Sequence, residues 1–369
     1  MSKTNPISRL LFFILRLIFA VKESADKDLG NPKKILVIRQ HNQFGDLLAS
    51  VSVFRAIKET YPEAELSVLV SPDNFYAITK NKFIDRYFVF NKSAILTWQY
   101  LKNLKQFLHA GYDVVIVPAT VSISATSCML SRFSDAKKRI GPEELDGKIN
   151  KLNFLFHHRI KLSWLQHPDA HVSDFSLDIL RPFGINTHNY KSEISFDDTD
   201  KFFAQGFILE YIKAGEKPVI GFHVGAGKPP NRWPLDNYIR LIEELKSEFS
   251  AAVYLTGSSS DKEELEYVQN KLTDEIVVFK NKTIPQLAAI ISESTLFITN
   301  DTGVMHVAGS TSTPQISIFG PTNPFNWTPV GDNKLFAHKS EFISDVTYEE
   351  VYEMCNVILT EKIKSNNEK

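Results

Sequence analysis

The segment Asn300–His306 (NDTGVMH) combines residue types that favour binding of a phosphate group. It follows the apolar run Leu296–Ile298, which predicts a buried strand, and it begins a predicted helix. Free N–H groups at a helix start, together with the helix dipole, attract anions. Gly303 would let a ligand approach the backbone, and His306 could donate a hydrogen bond to the same anion. This segment is therefore a candidate phosphate site.

A purely structural interpretation of the same segment is equally open. Asp301 or Thr302 would then act only as the N-cap of the helix, because short polar side chains satisfy the first backbone N–H groups. His306 would be a half-buried side chain without a ligand. The residue types alone do not separate these two interpretations.

A second segment of this kind, His223–Pro234, follows the apolar run Val219–Phe222. Its Gly-Ala-Gly core allows a ligand to approach the backbone closely. Lys228 and Arg232 bring positive charge to the same region, and an arginine can hold a diphosphate through two hydrogen bonds. Pro234 suits the first turn of the helix that is predicted next. The segment is a second candidate for contact with a phosphorylated ligand.

A third polar segment, Gly257–Asp261, follows the apolar run Ala252–Leu255. Its side chains, including Asp261, could contact a ribose or a base, whereas the alternative is an N-cap at Ser260 or Asp261. The turn Phe319–Pro324 follows another apolar run and adds a polar rim. Ligands of open parallel sheets bind beyond the carboxyl ends of the strands, which is where all these segments are predicted to lie.

Asp46 is the candidate catalytic carboxylate. Gly45 and Asp46 stand where the first long helix is predicted to begin, after the apolar run Ile35–Ile38. A carboxylate at this position could take a proton from an acceptor hydroxyl, whereas the alternative is a simple helix N-cap. The residues between the run and Asp46 lack the G-x-G-x-x-G pattern, and the chain has no G-x-x-x-x-G-K-[ST] motif. The sequence therefore predicts neither a dinucleotide dehydrogenase nor a P-loop NTPase.

Two series of alternating strands and helices position these residues. The first series has strands predicted at 35–38, 66–70 and 113–118, and a helix from Asp46 to Tyr61 that Pro62 ends. A polar break at 185–217 precedes the second series. Its strands are predicted at 219–222, 252–255, 276–278, 296–298 and 315–318, with helices at 235–249, 261–272, 284–292, 303–310 and 347–364. The alternation predicts an α/β fold with two Rossmann-like, doubly wound sheets.

Length and composition agree with two globular domains. The chain has 369 residues, of which 43% are hydrophobic and 23% are charged. This length suits two domains of roughly 150 residues each. The net charge of −1 gives no overall attraction to nucleic acid. Cys128 and Cys355 are the only cysteines, which indicates a reducing compartment and neither a disulfide framework nor a cysteine-based zinc site.

Residues 1–22 form a basic and apolar N-terminal segment without acidic residues. A membrane-spanning helix needs roughly 20 apolar residues, and Arg16 interrupts the run too early for that. A cleaved signal peptide is an alternative, but Lys22-Glu23-Ser24 does not provide a small-residue cleavage site. Two interpretations are open: a helix that lies in the membrane interface, with its basic residues on lipid phosphates, or an amphipathic helix packed on the protein itself.

Taken together, these segments resemble glycosyltransferase family 9, the ADP-heptose:lipopolysaccharide heptosyltransferases. The resemblance extends from about residue 33 to residue 330 and is specific because the order and spacing of several motifs agree. The matching residues are Ile35–Arg39 with Gly45, Asp46 and Arg55; Gly221–Gly227 with Arg232–Leu235; Asn300–Ala308; and Phe319–Pro324.

The resemblance implies a GT-B fold, in which two Rossmann-like domains face a cleft and a C-terminal helix packs back. It implies inverting, metal-independent transfer of heptose or a related sugar, with no cofactor, from an ADP-sugar to a lipopolysaccharide core or a similar acceptor. Asp46 would be the general base. The implied donor-binding residues are Lys228, Arg232, Asp261, Asp301, Thr302, Gly303 and His306, and the implied acceptor-binding residues are Gly45 and Arg55. Asn231 stands where the family often has a lysine, so Lys228 or Arg232 would substitute for it.

The domain boundaries follow from this combined interpretation. Residues 1–25 are predicted to form an amphipathic membrane-interface helix and residues 33–200 the acceptor-binding domain. Residues 215–345 would form the nucleotide-sugar-binding domain, and residues 346–369 the C-terminal helix and tail. The expected location is the cytoplasmic side of the inner membrane, with peripheral membrane contact and no nucleic-acid partner.

Two other functions are compatible with the same motifs. A GT-B-like sugar-nucleotide epimerase would consume the donor without an acceptor. A non-catalytic module that binds nucleotide sugars or a lipid surface would transfer nothing. The presence of Asp46 on the acceptor side favours an enzyme over such a module.

Several weaker patterns can be explained by structural rather than functional roles. Asp198-Thr199-Asp200 has the D-x-D spacing of metal-dependent glycosyltransferases, but no strand precedes it, so a helix-capping cluster is favoured. His157, His158, His167 and His171 lack an evident partner cluster and are interpreted as satisfied or exposed rather than metal-binding. The basic stretch 132–161 is expected either to meet acceptor phosphates or to be a solvated loop.

Overall fold

The computed structural model describes residues 6–40 and 44–367, with side chains for residues 12–40 and 44–364. The predicted terminal segments therefore lie partly outside the described residues, at 1–5 and 368–369, as does the connection 41–43 before Gly45. The chain divides into two compact units. The first unit comprises residues 1–78 and 82–190, and the second comprises residues 79–81 and 191–369.

The first unit is a Rossmann-like domain built on a mainly parallel sheet. Its strand order is β3-β2-β1-β4-β5-β6, with β7 parallel to β5 and only the β5–β6 pair antiparallel among the described strands. In chain order the elements are α1 (Pro6–Phe19), β1 (Lys34–Ile38), α2 (Phe44–Ala49), α3 (Val51–Thr60), β2 (Glu65–Val70), β3 (Arg86–Val89), α4 (Trp98–Leu108), β4 (Val114–Ile116), α5 (Ala125–Phe133), β5 (Lys138–Leu145), β6 (Lys148–Ile149), β7 (His158–Leu162) and α6 (Val172–Phe175).

The predicted helix from Asp46 to Tyr61 is divided in two. Helix α2 ends at Ala49 and α3 begins at Val51, so the prediction of one continuous helix is wrong at Ser50. The Ser50 hydroxyl donates to the backbone carbonyl of Asp46 over 2.7 Å. Serine competes in this way with the regular helical hydrogen bonds, which accounts for the break.

Helix α1 packs on the first unit with one face and leaves the other face exposed. Phe12, Leu15 and Phe19 pack against the hydrophobic core of that unit. The Nε of Arg132 donates to the carbonyl of Phe19 over 2.9 Å, which holds the end of the helix. The opposite face carries the exposed apolar residues Phe13, Ile14, Leu17 and Ile18. The packed interpretation is therefore confirmed for the inner face.

None of the helices in the described part of the chain has the length and apolar character needed to cross a membrane.

The second unit has the strand order of dinucleotide-binding domains. Its six strands are all parallel, in the order β10-β9-β8-β11-β12-β13. This order corresponds to the Rossmann sequence 3-2-1-4-5-6. In chain order the elements are α7 (Asp198–Phe207), β8 (Val219–His223), α8 (Leu235–Phe249), β9 (Ala252–Gly257), α9 (Lys262–Lys271), β10 (Val277–Lys280), α10 (Ile284–Ser292), β11 (Leu296–Asn300), α11 (Gly303–Gly309), β12 (Gln315–Ile318), α12 (Pro324–Trp327), β13 (Lys334–Ala337) and α13 (Tyr348–Asn367).

The C-terminal helix α13 packs back onto the second unit. Val351, Cys355 and Leu359 are fully buried in its hydrophobic core. The indole N–H of Trp233 donates to the carbonyl of Val346 over 2.8 Å, which fixes the start of the helix. Cys355 is a free thiol, as is Cys128 in the first unit.

The residues Thr79–Asn81 come from the first half of the chain but belong to the second unit. The Lys80 ammonium lies 2.6 Å from a carboxylate oxygen of Asp197 and 2.6 Å from one of Asp200. These two acids form a capping box at the start of α7. The helix-capping interpretation of the D-x-D pattern is therefore confirmed, and Lys80 neutralises part of its charge.

The histidines and the basic stretch have structural roles. The Nδ1 of His157 accepts from the N–H of Arg139 over 3.1 Å, and that of His171 accepts from Ser173 over 3.1 Å. No cluster of potential metal ligands occurs among the residues with described side chains. The stretch 132–161 forms the end of α5 and strands β5 to β7, so the expectation of a solvated loop is wrong.

Candidate active site

Asn300 joins the two segments that the sequence marks as candidate phosphate sites. It is the last residue of β11 and is fully buried. Its Nδ2 donates to the carbonyls of Val224 and Gly225 over 3.0 and 3.1 Å. Its Oδ1 accepts from the N–H of Trp233 over 3.1 Å and from the Tyr238 hydroxyl over 2.9 Å. One amide side chain therefore fixes the Gly-Ala-Gly loop against the end of β11, where α11 begins.

The start of α11 brings together four of the predicted donor-binding residues. Thr302 occupies the N-cap position with an extended backbone, but its side chain makes no capping hydrogen bond. Gly303 is the first helical residue, and the first turn of a helix leaves its N–H groups without intrahelical partners. Asp301 precedes the cap, and His306 is buried on the helix with its ring 6.2 Å from that of Trp327. Thr302 therefore stands at the predicted N-cap position, but its side chain does not cap the helix.

Asn231 contacts Asp301 directly. Its Nδ2 donates to the Asp301 carboxylate over 2.8 Å and to the Asp301 carbonyl over 3.2 Å. Asn231 therefore places a neutral amide beside this acid. The contact ties the His223–Pro234 segment to the start of α11 a second time.

Arg232 and Lys228, the two cations of this segment, have different surroundings. The Nε of Arg232 donates to the carbonyl of Ala226 over 2.8 Å, and its guanidinium forms an ion pair with the buried Glu264. Arg232 therefore holds the loop. Lys228 is exposed and forms no ion pair within the described part of the chain. Of the two, Lys228 has the charge that is not already neutralised.

Asp261 packs against the Gly-Ala-Gly loop. Its carboxylate accepts from the N–H and the hydroxyl of Ser258, both over 2.8 Å, as part of a capping box. Asp261 does occupy the predicted N-cap position of α9, but its side chain makes no capping hydrogen bond there, and the N-cap of the preceding turn is Ser258 rather than Ser260. A Cβ on Gly225 would lie 2.3 Å from one Asp261 carboxylate oxygen, so only glycine fits at that position. Contact between Asp261 and a ribose or base stays a prediction.

His223, at the end of β8, does not supply positive charge to this region. It is buried, and its Nδ1 lies 3.1 Å from both the carbonyl and the hydroxyl of Thr256. Burial lowers its pKa, although the charges of Asp261 and Glu264 partly oppose the shift. We therefore treat His223 as neutral at pH 7.

Asp46 lies in the first turn of α2, in the first unit. It is the third residue of that helix, so the N-cap alternative is wrong for this position. The buried Arg39, just after β1, donates through Nη2 to the Thr120 hydroxyl over 2.7 Å. Burial lowers the pKa of Arg39, and the negative charge of Asp46 opposes this shift. Asp46 thus has a buried guanidinium in its electrostatic surroundings.

The two residues predicted to bind the acceptor have different environments. Gly45 shares the first turn of α2 with Asp46. Arg55, on α3, is buried, and its guanidinium donates to the carbonyl of Asn189 over 2.5 Å and lies 5.2 Å from the ring of Phe83. It therefore holds the end of the first unit in place. Contact of either residue with an acceptor stays a prediction.

The comparison with known families decides the assignment. The family model described as glycosyltransferase family 9 (heptosyltransferase) matches residues 101–350, which is more than half of the chain. The chain belongs to glycosyltransferase family 9. It is therefore a glycosyltransferase, which favours the enzymatic interpretation of the motifs over a non-catalytic binding module.

Relatives of this family 9 glycosyltransferase include lipopolysaccharide heptosyltransferases. Lipopolysaccharide heptosyltransferase 3 of Escherichia coli is 24% identical over 307 residues, which cover 79% of this chain and 85% of that protein. Lipooligosaccharide heptosyltransferase 2 of Haemophilus influenzae is 36% identical over a shorter region of 124 residues, which covers 32% of this chain and 36% of that protein.

Solved structures of the family share its fold. The glycosyl transferase family 9 protein from Veillonella parvula DSM 2008 has a TM-score of 0.77 at 17% identity, covering 91% of this chain and 100% of that chain. The Escherichia coli ADP-heptose lps heptosyltransferase II has a TM-score of 0.71 at 21% identity, covering 89% and 99%. The predicted GT-B class, with two Rossmann-like domains, is confirmed.

The structure adds Glu264 to the candidate site, and it assigns positioning roles to Asn300, Asn231 and Arg39 that the sequence did not predict. Asn300, Asn231 and Glu264 hold the loop and the helix start together in the second unit, and Arg39 accompanies Asp46 in the first. A usable indication was present for Asn300 and Arg39. Each is a polar residue at or just after the end of an apolar strand, where a buried polar side chain needs partners.

Proposed function

We propose that this family 9 enzyme transfers heptose from ADP-heptose to a lipopolysaccharide core acceptor on the cytoplasmic side of the inner membrane. Membership of the family and the similarity to lipopolysaccharide heptosyltransferases support this assignment. The solved structure of Escherichia coli heptosyltransferase WaaC with ADP has a similar fold, with a TM-score of 0.64. The observation that carries the proposal is the hydrogen-bonded junction at Asn300, which places a glycine-rich loop beside the start of α11, where the Thr302 side chain makes no capping hydrogen bond.

In this proposal the second unit binds the donor. The diphosphate accepts hydrogen bonds from the first-turn N–H groups of α11, at Thr302 and Gly303, and from His306. Lys228 offsets the charge that develops on the leaving ADP, because its own charge is not paired within the described residues. Arg232 acts on the donor indirectly by holding the loop through Ala226 and Glu264. Asp261 contributes the hydrogen-bond acceptor for the ribose.

The reaction is a single displacement at the anomeric carbon. The acceptor hydroxyl oxygen forms the new glycosidic bond while the bond between the anomeric carbon and the donor phosphate oxygen breaks. ADP leaves with that electron pair, the hydroxyl proton passes to the Asp46 carboxylate, and the anomeric configuration inverts. The buried guanidinium of Arg39 interacts electrostatically with Asp46, and a general base needs its carboxylate in the ionised form.

A transfer assay tests the proposal. The enzyme is incubated with ADP-heptose and an acyl-free lipopolysaccharide core acceptor, in the presence of EDTA, and ADP release and the glycosylated product are measured. We expect a product of inverted configuration that depends on the acceptor and survives the chelator. Consumption of the donor without an acceptor would instead indicate an epimerase.

A thermal-shift comparison of ADP, UDP, GDP and CMP tests the donor separately. We expect stabilisation by ADP alone, because a ligand that binds only the native state raises the unfolding temperature. Stabilisation by UDP or GDP would overturn the ADP-sugar assignment and leave the family assignment intact.

We further propose that the outer face of α1 gives the enzyme peripheral contact with the membrane. Phe13, Ile14, Leu17 and Ile18 are exposed on that face, and the helix segment has basic and no acidic residues. Vesicles of anionic phospholipid should sediment the wild-type protein and retain much less of the Leu17→Ser/Ile18→Ser variant. Equal sedimentation of both proteins would contradict the proposal.

A further inference from the structure

The first unit contains a cavity of about 380 Å³ beside helix α1. This volume lies within the range of ligand sites, roughly 300–1,000 Å³. Its apolar lining comes from α1, from the loop that precedes α5, from the β5–β6 hairpin and from the residues after it. The larger of these apolar residues are Phe12, Val121, Ile123, Leu145, Ile149 and Leu152, and Ala125 at the start of α5 adds a small one.

Hydrogen bonds and packing hold the cavity walls in place. The carbonyl of Phe154 accepts from the N–H of Val21 over 2.9 Å, which fixes the chain just after α1. Phe12 packs against the core, with the Lys151 ammonium 5.6 Å from its ring centre. Strands β5 and β6 pair in register, with Leu145 opposite Lys148. The cavity is therefore part of the folded unit.

The cavity lining and the surface nearby expose large apolar side chains to water. Ile149 is 70% exposed and Val121 is 57% exposed, although both line the cavity. Leu17 on the outer face of α1 is 71% exposed. Clustered exposed apolar residues mark interaction surfaces, and a flexible hydrocarbon chain is a ligand that could cover them.

The charges of the cavity lining favour an anionic headgroup. Lys148 and Lys151 both line the cavity. Asp146 is the acidic residue among the lining residues that the structure describes, and its carboxylate accepts from the N–H of Trp164 over 2.7 Å. Two ammonium groups beside an apolar cavity suit a phosphate attached to a hydrocarbon chain.

One wall of the cavity is tied to the element that leads to Asp46. The loop residue Ser124 accepts from the Gln40 side chain over 2.9 Å, and Thr120 accepts from Arg39 over 2.7 Å. Arg39 and Gln40 directly follow β1, and α2 with Asp46 comes next. A molecule held in the cavity is thus anchored to the same part of the unit as the proposed general base.

We propose that this cavity binds one acyl chain of the lipid part of the acceptor, with Lys148 and Lys151 on an adjacent phosphate. The inference rests on the proposed function, because it names a lipid-linked acceptor. It deepens that function by assigning an anchoring site for the acceptor that is separate from the reacting sugar.

Binding of dodecyl phosphate below its micelle concentration tests the site, with isothermal titration calorimetry on the full chain. Ala125 lines the cavity, so the ring in Ala125→Phe should obstruct part of it, and Lys148→Glu should repel the phosphate. We expect each change to weaken binding at least about tenfold. The controls Ala25→Phe and Lys105→Glu, at exposed positions of the same unit, should bind as the wild type does. Equal affinity in Ala125→Phe and wild type would overturn the proposal.

A kinetic comparison distinguishes the acceptor from bulk phospholipid. Ala125→Phe should raise KM for an acylated acceptor about tenfold and leave KM for the acyl-free acceptor unchanged. If Ala125→Phe no longer binds dodecyl phosphate but its KM for the acylated acceptor is unchanged, the cavity binds another lipid and the acceptor assignment is wrong. If the wild type transfers sugar to neither acceptor, the proposed function fails, and dodecyl phosphate binding still reports on the cavity itself.

Discussion

At the scale of single residues, the part of the candidate site in the second unit depends on the buried Asn300, whose side-chain hydrogen-bonding groups are all paired. Asn300 uses both amide hydrogens and its carbonyl oxygen to join backbone groups of the Gly-Ala-Gly loop with Trp233 and Tyr238. Buried polar groups without partners are costly, so such a residue holds one arrangement of its neighbours. Asp46 is in a different position, because its proposed role requires access to an acceptor.

Asp46→Asn should lower kcat for sugar transfer by about a hundredfold to ten-thousandfold, the usual contribution of a general base. The amide keeps the shape of the side chain but does not take up the proton. The unfolding temperature should fall only modestly, because the buried Arg39 loses an attractive charge, and the stabilisation by ADP should be unchanged. Steady-state transfer assays and thermal shifts measure both. Asp73→Asn, at an exposed position of the same unit, is the matched control. Full activity in Asp46→Asn would remove it from the mechanism.

His157 should make the first unit sensitive to mild acid. Burial and nearby positive charges lower the pKa of His157 from 6.5 to about 4, and its Nδ1 accepts a backbone hydrogen bond. The unfolded chain therefore binds the proton first as pH falls, so stability is complete above about pH 6.5 and is lost progressively towards pH 4.

Urea unfolding at several pH values measures this dependence. His157→Asn keeps a hydrogen-bond acceptor but does not titrate, so its midpoint should fall less than that of the wild type over this range. His109→Asn, at an exposed position of the same unit, should follow the wild type. Parallel curves for the wild type and His157→Asn would show that this histidine does not control acid stability.

At the scale of elements, the Gly-Ala-Gly loop separates a glycine that packing requires from one that it does not. A Cβ at position 225 would meet the Asp261 carboxylate, which its hydrogen bonds to Ser258 hold in place. A Cβ at position 227 would have nothing within 4 Å. Comparing the same substitution at the two positions therefore shows whether the contact with Asp261 determines the conformation of the loop.

Gly225→Ala should destabilise the second unit by about 1–3 kcal/mol, as overpacking does, and should raise KM for the donor because the loop moves. Gly227→Ala should change stability by no more than about 0.5 kcal/mol. Chemical denaturation and donor kinetics on both variants make the comparison. If the two variants behave alike, the contact with Asp261 does not control the loop.

The second unit was easier to predict from sequence than the first. Its strands are continuous apolar runs, such as Leu296–Ile298. Polar segments follow these runs, so both the strand and the residue at which it ends are predictable. Strand β5 (Lys138–Leu145) escaped prediction because it carries charged residues and Pro142, and its stability comes from pairing with β4 and β7. The partners of Asn300 and Arg232 were equally hidden, since they depend on contacts between segments far apart in sequence.

At the scale of the whole molecule, two units with separate sheets and cores should unfold as two transitions rather than one. ADP should raise the unfolding temperature of the second unit alone. At ADP concentrations about 100-fold above Kd, its free energy of unfolding should increase by roughly 2–3 kcal/mol. Differential scanning calorimetry measures this effect. Gly225→Ala identifies the transition of the second unit, because it should lower that one alone. If ADP instead shifts the other transition, the donor binds to the first unit and the proposed donor site is wrong.

The Lys80 pairing with Asp197 and Asp200 has a consequence for how the gene could be divided. The polypeptide passes from the first unit to the second at residue 79, returns at residue 82 and passes again at residue 191. A single cut after Tyr190 would therefore deprive the C-terminal fragment of Lys80 and leave the buried Asp200 without that cation. If the two halves were expressed separately, residues 79–81 of the N-terminal half would have to bind to the C-terminal half to restore this contact. A gene divided at this point should therefore complement poorly.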